Sequence, residues 1–128
     1  MKITIVGGGI GGMTLALSLV DAGLRDVDIY ESAPGVKELG VGINVLPHAV
    51  RELTELGLLD DLCAVGIPTA DWVLYSRHGQ EIWREPRGIA AGYHRPQVSI
   101  HRGELLRVLY RAVCAHLGAS ASTLIVTL

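Results

Sequence analysis

The stretch Ile3-Thr4-Ile5-Val6-Gly7-Gly8-Gly9-Ile10-Gly11-Gly12 narrows what this chain can fold into more than any other. A β-branched apolar run gives way to glycines, and a helical pattern follows. Gly7, Gly9 and Gly12 stand in G-x-G-x-x-G spacing, and each has a separate job. Gly7 permits a tight strand-to-helix turn, Gly9 lets the backbone approach a pyrophosphate, and Gly12 lets the helix pack closely on its strand. The first N–H groups of that helix, at its positive dipole end, then face the phosphates. Gly7, Gly9, Ile10, Gly11 and Gly12 are therefore the expected phosphate-binding residues.

A glycine motif by itself is weak evidence, because many strand-to-helix turns match it. Here it follows a strand-like run, and Ala16 and Gly23 continue it with a small helix–sheet contact and a helix stop. A second β-branched run, Val27-Asp28-Ile29-Tyr30, comes next and is closed by Glu31, nineteen positions after Gly12. A carboxylate there is placed to accept the two hydroxyls of a ribose. The same charge argues against a 2′-phosphorylated cofactor in this site. These residues describe an adenine-dinucleotide cradle.

At 128 residues the chain has length for one small domain and not two. It is 49% hydrophobic and 19% charged, richer in apolar residues than a small self-sufficient domain needs. Either the α/β core is well buried, or some apolar surface meets further protein. A net charge of −2 with no basic block leaves no electrostatic footprint for nucleic acid. No apolar run reaches membrane-spanning length, and with strand pattern from the third residue no leader is expected. Cys63 and Cys114 lack C-x-x-C spacing and read as buried thiols in a reducing cytoplasm.

Along the chain, a first helix is expected from about Gly11 to Ala22, buried on several sides. Turn residues Ser32 to Gly35 follow, and Lys37 to Asn44 reads as an ordered loop approached closely by a ligand or a neighbouring backbone. A helix starting near Pro47 ends at Gly57, with a further helical turn from Leu58 to Val65. Trp72–Ser76 and Glu81–Arg84 flank Arg77-His78-Gly79-Gln80 as a hairpin. After a Gly/Pro loop come a brief strand over Val98–His101, a helix from Gly103-Glu104 to Gly118, and a third parallel strand over Ser122–Leu128.

The expected architecture is α/β and Rossmann-like in three layers, half of a doubly wound parallel sheet with an inserted antiparallel hairpin. Its parts are a βαβ unit over 1–31, a loop and helix over 37–57, the hairpin over 71–85 and a strand–helix–strand over 98–128. Such a half-sheet leaves an edge bare beside its first strand.

These residues resemble the single-component, FAD-dependent aromatic hydroxylases (group A flavoprotein monooxygenases, salicylate hydroxylase-like), and within them most of all the phenazine-carboxylate hydroxylase branch. The segments carrying the likeness are Ile5 to Gly12, Tyr30-Glu31-Ser32, Leu39 to Asn44 with Pro47 and Ala49-Val50, Glu55-Leu56-Gly57-Leu58, Glu85-Pro86-Arg87-Gly88, and Ser99 to Leu105. The resemblance implies that Gly7 to Gly12 hold the FAD pyrophosphate and Glu31, followed by Ser32, the adenosine ribose. It also implies that the backbone around Val41 and Gly42 lies near the flavin, and that Arg102 reaches the phosphates or ribityl chain. A permanently charged fork of donors suits that last task. NAD(P)H would reduce the flavin, O₂ would supply the hydroxyl oxygen, and a small aromatic compound would be the substrate.

Departures from the family accompany the likeness. Its members are roughly three times this length, and the Asp-Gly and Gly-Asp motifs of their later segments have no counterpart here. Ala119 to Leu128 no longer looks like the family, and an early stop or a frameshifted tail is expected, with the substrate domain absent and turnover lacking in the chain alone. A non-catalytic nucleotide-binding or interaction module and a small NAD-binding Rossmann domain remain as alternatives.

No catalytic acid or base can be named. His48, His78, His94, His101 and His116 have no metal-ligand spacing, so no metal site is expected. Ser18, Ser76 and Ser99 have no G-x-S-x-G setting. Trp72, Tyr75 and Trp83 either line a substrate pocket or pack the hairpin against the sheet, and Arg84, Arg87 and Arg95 read as a solvated basic face.

Overall fold

A computed structural model describes residues 1–33 and 40–117. Its elements run β1 (Ile3–Val6), α1 (Ile10–Asp21), β2 (Val27–Tyr30), β3 (Gly42–Val45), α2 (Pro47–Glu55), α3 (Leu59–Val65) and β4 (Ile67–Thr69). They continue with β5 (Asp71–Tyr75), β6 (Glu81–Pro86), a 3₁₀ turn (Gly88–Ala91), β7 (Gln97–His101) and α4 (Arg102–Leu117). The chain divides into two units, one built from residues 1–41 with the segment from Arg102 onward, the other from Gly42–His101.

In the first unit β1 and β2 pair in parallel, with Ile3 opposite Val27 and Val6 opposite Tyr30. Ile5 and Ile29 are buried between these strands and the helices. The α1 helix packs on α4, with Met13, Ala16, Leu17 and Val20 buried on the first and Leu105, Val108, Leu109 and Val113 buried on the second. The valine, leucine and methionine side chains among them each contribute roughly 1.5–3 kcal/mol when fully buried. Burial of α1 is one-sided, because Leu15 is 49% exposed, which corrects the expectation of a helix covered on several sides. Gly12 lets the start of the helix come close to the end of β1.

The helix ends follow from local chemistry. Gly23 donates its N–H to Val20 O at 2.9 Å and Leu24 to Leu19 O at 2.8 Å, the paired bonds of a left-handed glycine stop at φ +83°. Gly57 closes α2 the same way, with Leu58 N–H reaching Leu53 O at 2.9 Å and both leucines buried. At the other end of α2, Pro47 occupies the first turn, and Leu46 before it is held extended at ψ 160° as a residue preceding proline prefers.

The second unit holds an antiparallel sheet in the order β3-β7-β4 and a separate hairpin, β5-β6. Val45, Val98 and Ile100 turn one face of the larger sheet onto α2 and α3, burying Val50, Leu53 and Leu62. The loop expected over Lys37–Asn44 is corrected in part: Gly42–Val45 is a strand paired with β7, while 37–39 lie outside the described residues. The strand expected at Val98–His101 runs antiparallel between β3 and β4. The hairpin stands where expected, its loop closed by Ser76 N–H to Gln80 O at 2.7 Å and by the Ser76 hydroxyl, which accepts from His78 and Gln80. The third parallel strand expected at Ser122–Leu128 lies outside the described residues.

Candidate functional site

At the end of β1 the ladder extends one step beyond Val6, with Gly7 N–H donating to Tyr30 O at 2.7 Å. Gly7 then takes φ +106°, a backbone state that favours glycine, and sends the chain into α1. Gly9 is the N-cap, extended at φ −79° and ψ −172°, and no side chain caps the helix. The first rung is Met13 N–H to Gly9 O at 3.0 Å. The N–H groups of Ile10, Gly11 and Gly12 precede that rung, at the positive end of a twelve-residue helix.

The glycines divide into two kinds. A Cβ at Gly12 would stand 1.9 Å from the carbonyl oxygen of Gly7, so that position is closed by the protein itself. A Cβ at Gly9 or Gly11 would meet nothing within 4 Å. Open space in front of uncapped N–H groups is what a bound phosphate requires, and the turn fits a pyrophosphate on that observation.

Glu31 is half-buried just past β2. Its Oε1 accepts from Ala33 N–H at 2.8 Å and its Oε2 from Gly8 N–H at 2.8 Å, with the Ser32 hydroxyl donating to Oε1 at 3.4 Å. The Ala33 amide, then the Gly8 amide, hold this carboxyl below its ordinary pKa, so it is ionised at neutral pH. Gly8 was expected only as part of the pyrophosphate-binding run Gly7 to Gly12, not as a partner of Glu31. The run of three glycines, Gly7 to Gly9, was the signal available for it: a Cβ at the middle one would lie 3.1 Å from Glu31 Cβ.

A second cluster lies in the same unit. Arg102 opens α4, exposed, and its N–H donates to Val41 O at 3.3 Å. A Cβ at Gly40 would come within 3.0 Å of Arg102 Cβ, so the backbone at 40–41 runs directly along the arginine. Val41 is 75% exposed. The structure thus brings Gly7, Gly8, Glu31 and Ser32 into one group and Val41 with Arg102 into another, with α1 packed on α4 in the same unit.

Elsewhere the arginines of the hairpin are paired rather than a free basic face. Arg84 bridges Asp71 at 3.0 Å and Glu81 at 2.9 Å, while Arg87 pairs with Glu85 and lies 5.4 Å above the Trp72 ring. Trp72, Tyr75 and Trp83 are each about half exposed, so none of them is a buried core residue. A cavity of about 350 Å³ in this unit is lined instead by residues that include Leu46, His48, Arg87 and Tyr93. Among the described residues no cluster of His, Cys, Asp or Glu could hold a metal, and no helix is long and apolar enough to cross a membrane.

No family model matches the chain. It is 48% identical over 117 residues to the phenazine 1,6-dicarboxylic acid hydroxylase PhzS of Lysobacter antibioticus, a match covering 91% of this chain and 29% of that protein. Salicylate hydroxylase of Pseudomonas putida is 35% identical over 119 residues, covering 87% of this chain and 26% of that one. Its relatives are the FAD-dependent aromatic hydroxylases. The likeness falls in the N-terminal part of these hydroxylases, and the chain spans under a third of the length of either. The p-nitrophenol 4-monooxygenase PnpA of Pseudomonas putida DLL-E4 superposes with a TM-score of 0.79 at 24% identity, over 90% of this chain and 29% of that one. Aklavinone-11 hydroxylase, solved with FAD and aklavinone, gives 0.74 at 22%, over 91% of this chain and 24% of that one. The α/β, Rossmann-like fold is that of these hydroxylases.

Proposed function

We propose that the chain is the FAD-binding part of an NAD(P)H- and O₂-dependent flavoprotein monooxygenase that hydroxylates a small aromatic compound, with the substrate domain outside residues 1–128. The observation carrying this reading is the uncapped, unobstructed start of α1 beside an ionised Glu31 in a chain whose relatives are FAD-dependent hydroxylases. A reducing, cytoplasmic setting accords with the two free cysteines.

In this reading the N–H groups of Ile10, Gly11 and Gly12 receive the pyrophosphate, and Gly9 gives it room. Glu31 accepts the ribose hydroxyls through acceptor directions left beside Gly8 and Ala33, since a carboxylate offers about four. Val41 presents its main chain to the flavin half, and Arg102 supplies a charged donor fork for the phosphates or ribityl chain. FAD, when bound, supplies the redox chemistry between nicotinamide, oxygen and ring. No residue of this chain is assigned a proton-transfer role.

Titrating the 128-residue chain with FAD, followed by flavin fluorescence, tests the reading. Saturable binding competed by ADP is expected. A folded chain that binds NAD in preference to FAD, or neither, would overturn it.

A further inference from the structure

Glu31 does more in this fold than wait for a ribose. Its two oxygens are held by main-chain N–H groups from segments that only the β1–β2 pairing brings together, Gly8 before α1 and Ala33 after β2, each at 2.8 Å. The Gly8 contact spans 23 residues of sequence. Bonds from N–H groups to an ionised carboxylate are among the stronger hydrogen bonds in proteins. They are placed at a glycine-rich backbone, with glycine at 7, 8 and 9 before α1 and at 11 and 12 in its first turn, and glycine loses more freedom on ordering than other residues.

We propose that Glu31 is a positioning residue for the phosphate-binding turn: by fixing the Gly8 N–H it holds the turn in the shape that presents the Ile10, Gly11 and Gly12 N–H groups, so phosphate affinity depends on a carboxylate remote from the phosphates. This rests on the dinucleotide-site reading and deepens it. The Gly8 N–H is then committed to Glu31 and leaves the phosphates to the helix. The pliable turn, once released, populates the binding shape only part of the time, and apparent affinity falls in proportion to that fraction. A turn competent one-tenth of the time binds about tenfold more weakly.

The same geometry explains why Gly8 carries no side chain. A Cβ there would stand 3.1 Å from Glu31 Cβ, tighter than an ordinary contact, so the two would have to shift apart by a few tenths of an ångström.

Inorganic pyrophosphate separates the two roles of Glu31, because it has no ribose. Glu31→Gln keeps the shape but offers one carbonyl oxygen and one NH₂, so either Gly8 or Ala33 faces another donor. In the 128-residue chain the variant is expected to bind pyrophosphate about tenfold more weakly, with an unchanged circular dichroism spectrum. Its Gly8 amide should exchange with deuterium at least about tenfold faster than in the wild type. Pyrophosphate affinity unchanged while ADP affinity falls would overturn the proposal and leave Glu31 a ribose ligand alone. A wild-type chain that binds neither ligand would defeat the dinucleotide reading instead. The clamp is then judged by Gly8 exchange in the wild type, which needs no variant: protection supports it, and exchange at the unprotected rate overturns it.

Discussion

The carbonyl oxygen of Gly7 occupies the place where a methyl group on Gly12 would have to go, 1.9 Å from an ideal Cβ. The obstructing atoms belong to the main-chain carbonyl of Gly7, whose carbon stands 3.1 Å away, and Ile5 Cγ2 lies at 3.3 Å. Gly12→Ala therefore cannot be absorbed by a rotamer change and must shift α1 away from β1. A loss of about 3 kcal/mol or more is expected, the upper range for an overpacked site. Urea unfolding of the variant against wild type measures it, and a change under about 1 kcal/mol would contradict the close approach of helix to strand.

The packing of α1 on α4 makes a second prediction from two leucines. Leu109 is fully buried on α4, whereas Leu15 on α1 is 49% exposed. Leu109→Ala should cost about 2–5 kcal/mol through lost contacts and a residual cavity. Leu15→Ala, on the open side of its helix, should change stability by less than about 1 kcal/mol. Equal losses in thermal or urea unfolding would mean that α1 is covered all round, as its sequence pattern implies.

Where the backbone was dictated by glycine or proline, the sequence could be read directly. Gly7 takes its positive φ, Gly12 its close approach, Gly23 and Gly57 their helix stops, and Pro47 its first turn, because few other residues permit those states. The strands β3 and β4 were missed for a physical reason. Gly42-Ile43-Asn44-Val45 and Ile67-Pro68-Thr69 are short and hold glycine, asparagine or proline, and they are strands because β7 pairs with both of their inner edges. The Glu31–Gly8 bond was equally hidden, since it depends on the β1–β2 register that sets Val6 opposite Tyr30. Glu31 itself was legible by spacing, while the exposure of Trp72 and Trp83 was not, because the unbroken apolar runs Trp72-Val73-Leu74-Tyr75 and Ile82-Trp83 do not say which face is covered.

The lowered pKa of Glu31 fixes the sign of its pH dependence. The Ala33 and Gly8 amides favour the ionised form in the folded chain, so the carboxylate binds its proton less readily folded than unfolded. Its contribution to stability is then complete above the unfolded value of about 4.5, declines as pH falls below that value, and is gone below the lowered folded value. The stability difference between wild type and Glu31→Gln should stay flat from pH 7 to about 5.5 and narrow below about 4.5. Chemical denaturation across that range measures it. A difference that grew on acidification would mean that the carboxyl is held as a proton donor.

Gly9→Ala separates folding from ligand binding more cleanly than any other change in the turn. The residue is extended at φ −79° and ψ −172°, a conformation open to alanine, and the added methyl meets no protein atom within 4 Å. As a helix N-cap, alanine is somewhat poorer than glycine, so a stability change within about 1 kcal/mol is expected. The methyl does enter open space at the N-cap of α1, where the pyrophosphate is proposed to lie. Affinity for FAD and for ADP should fall at least about tenfold, with equal losses for the two ligands because both carry the pyrophosphate. Isothermal titration of a variant whose melting temperature matches wild type is the measurement. Retained affinity would move the phosphates away from Gly9 and require a different mouth for the site.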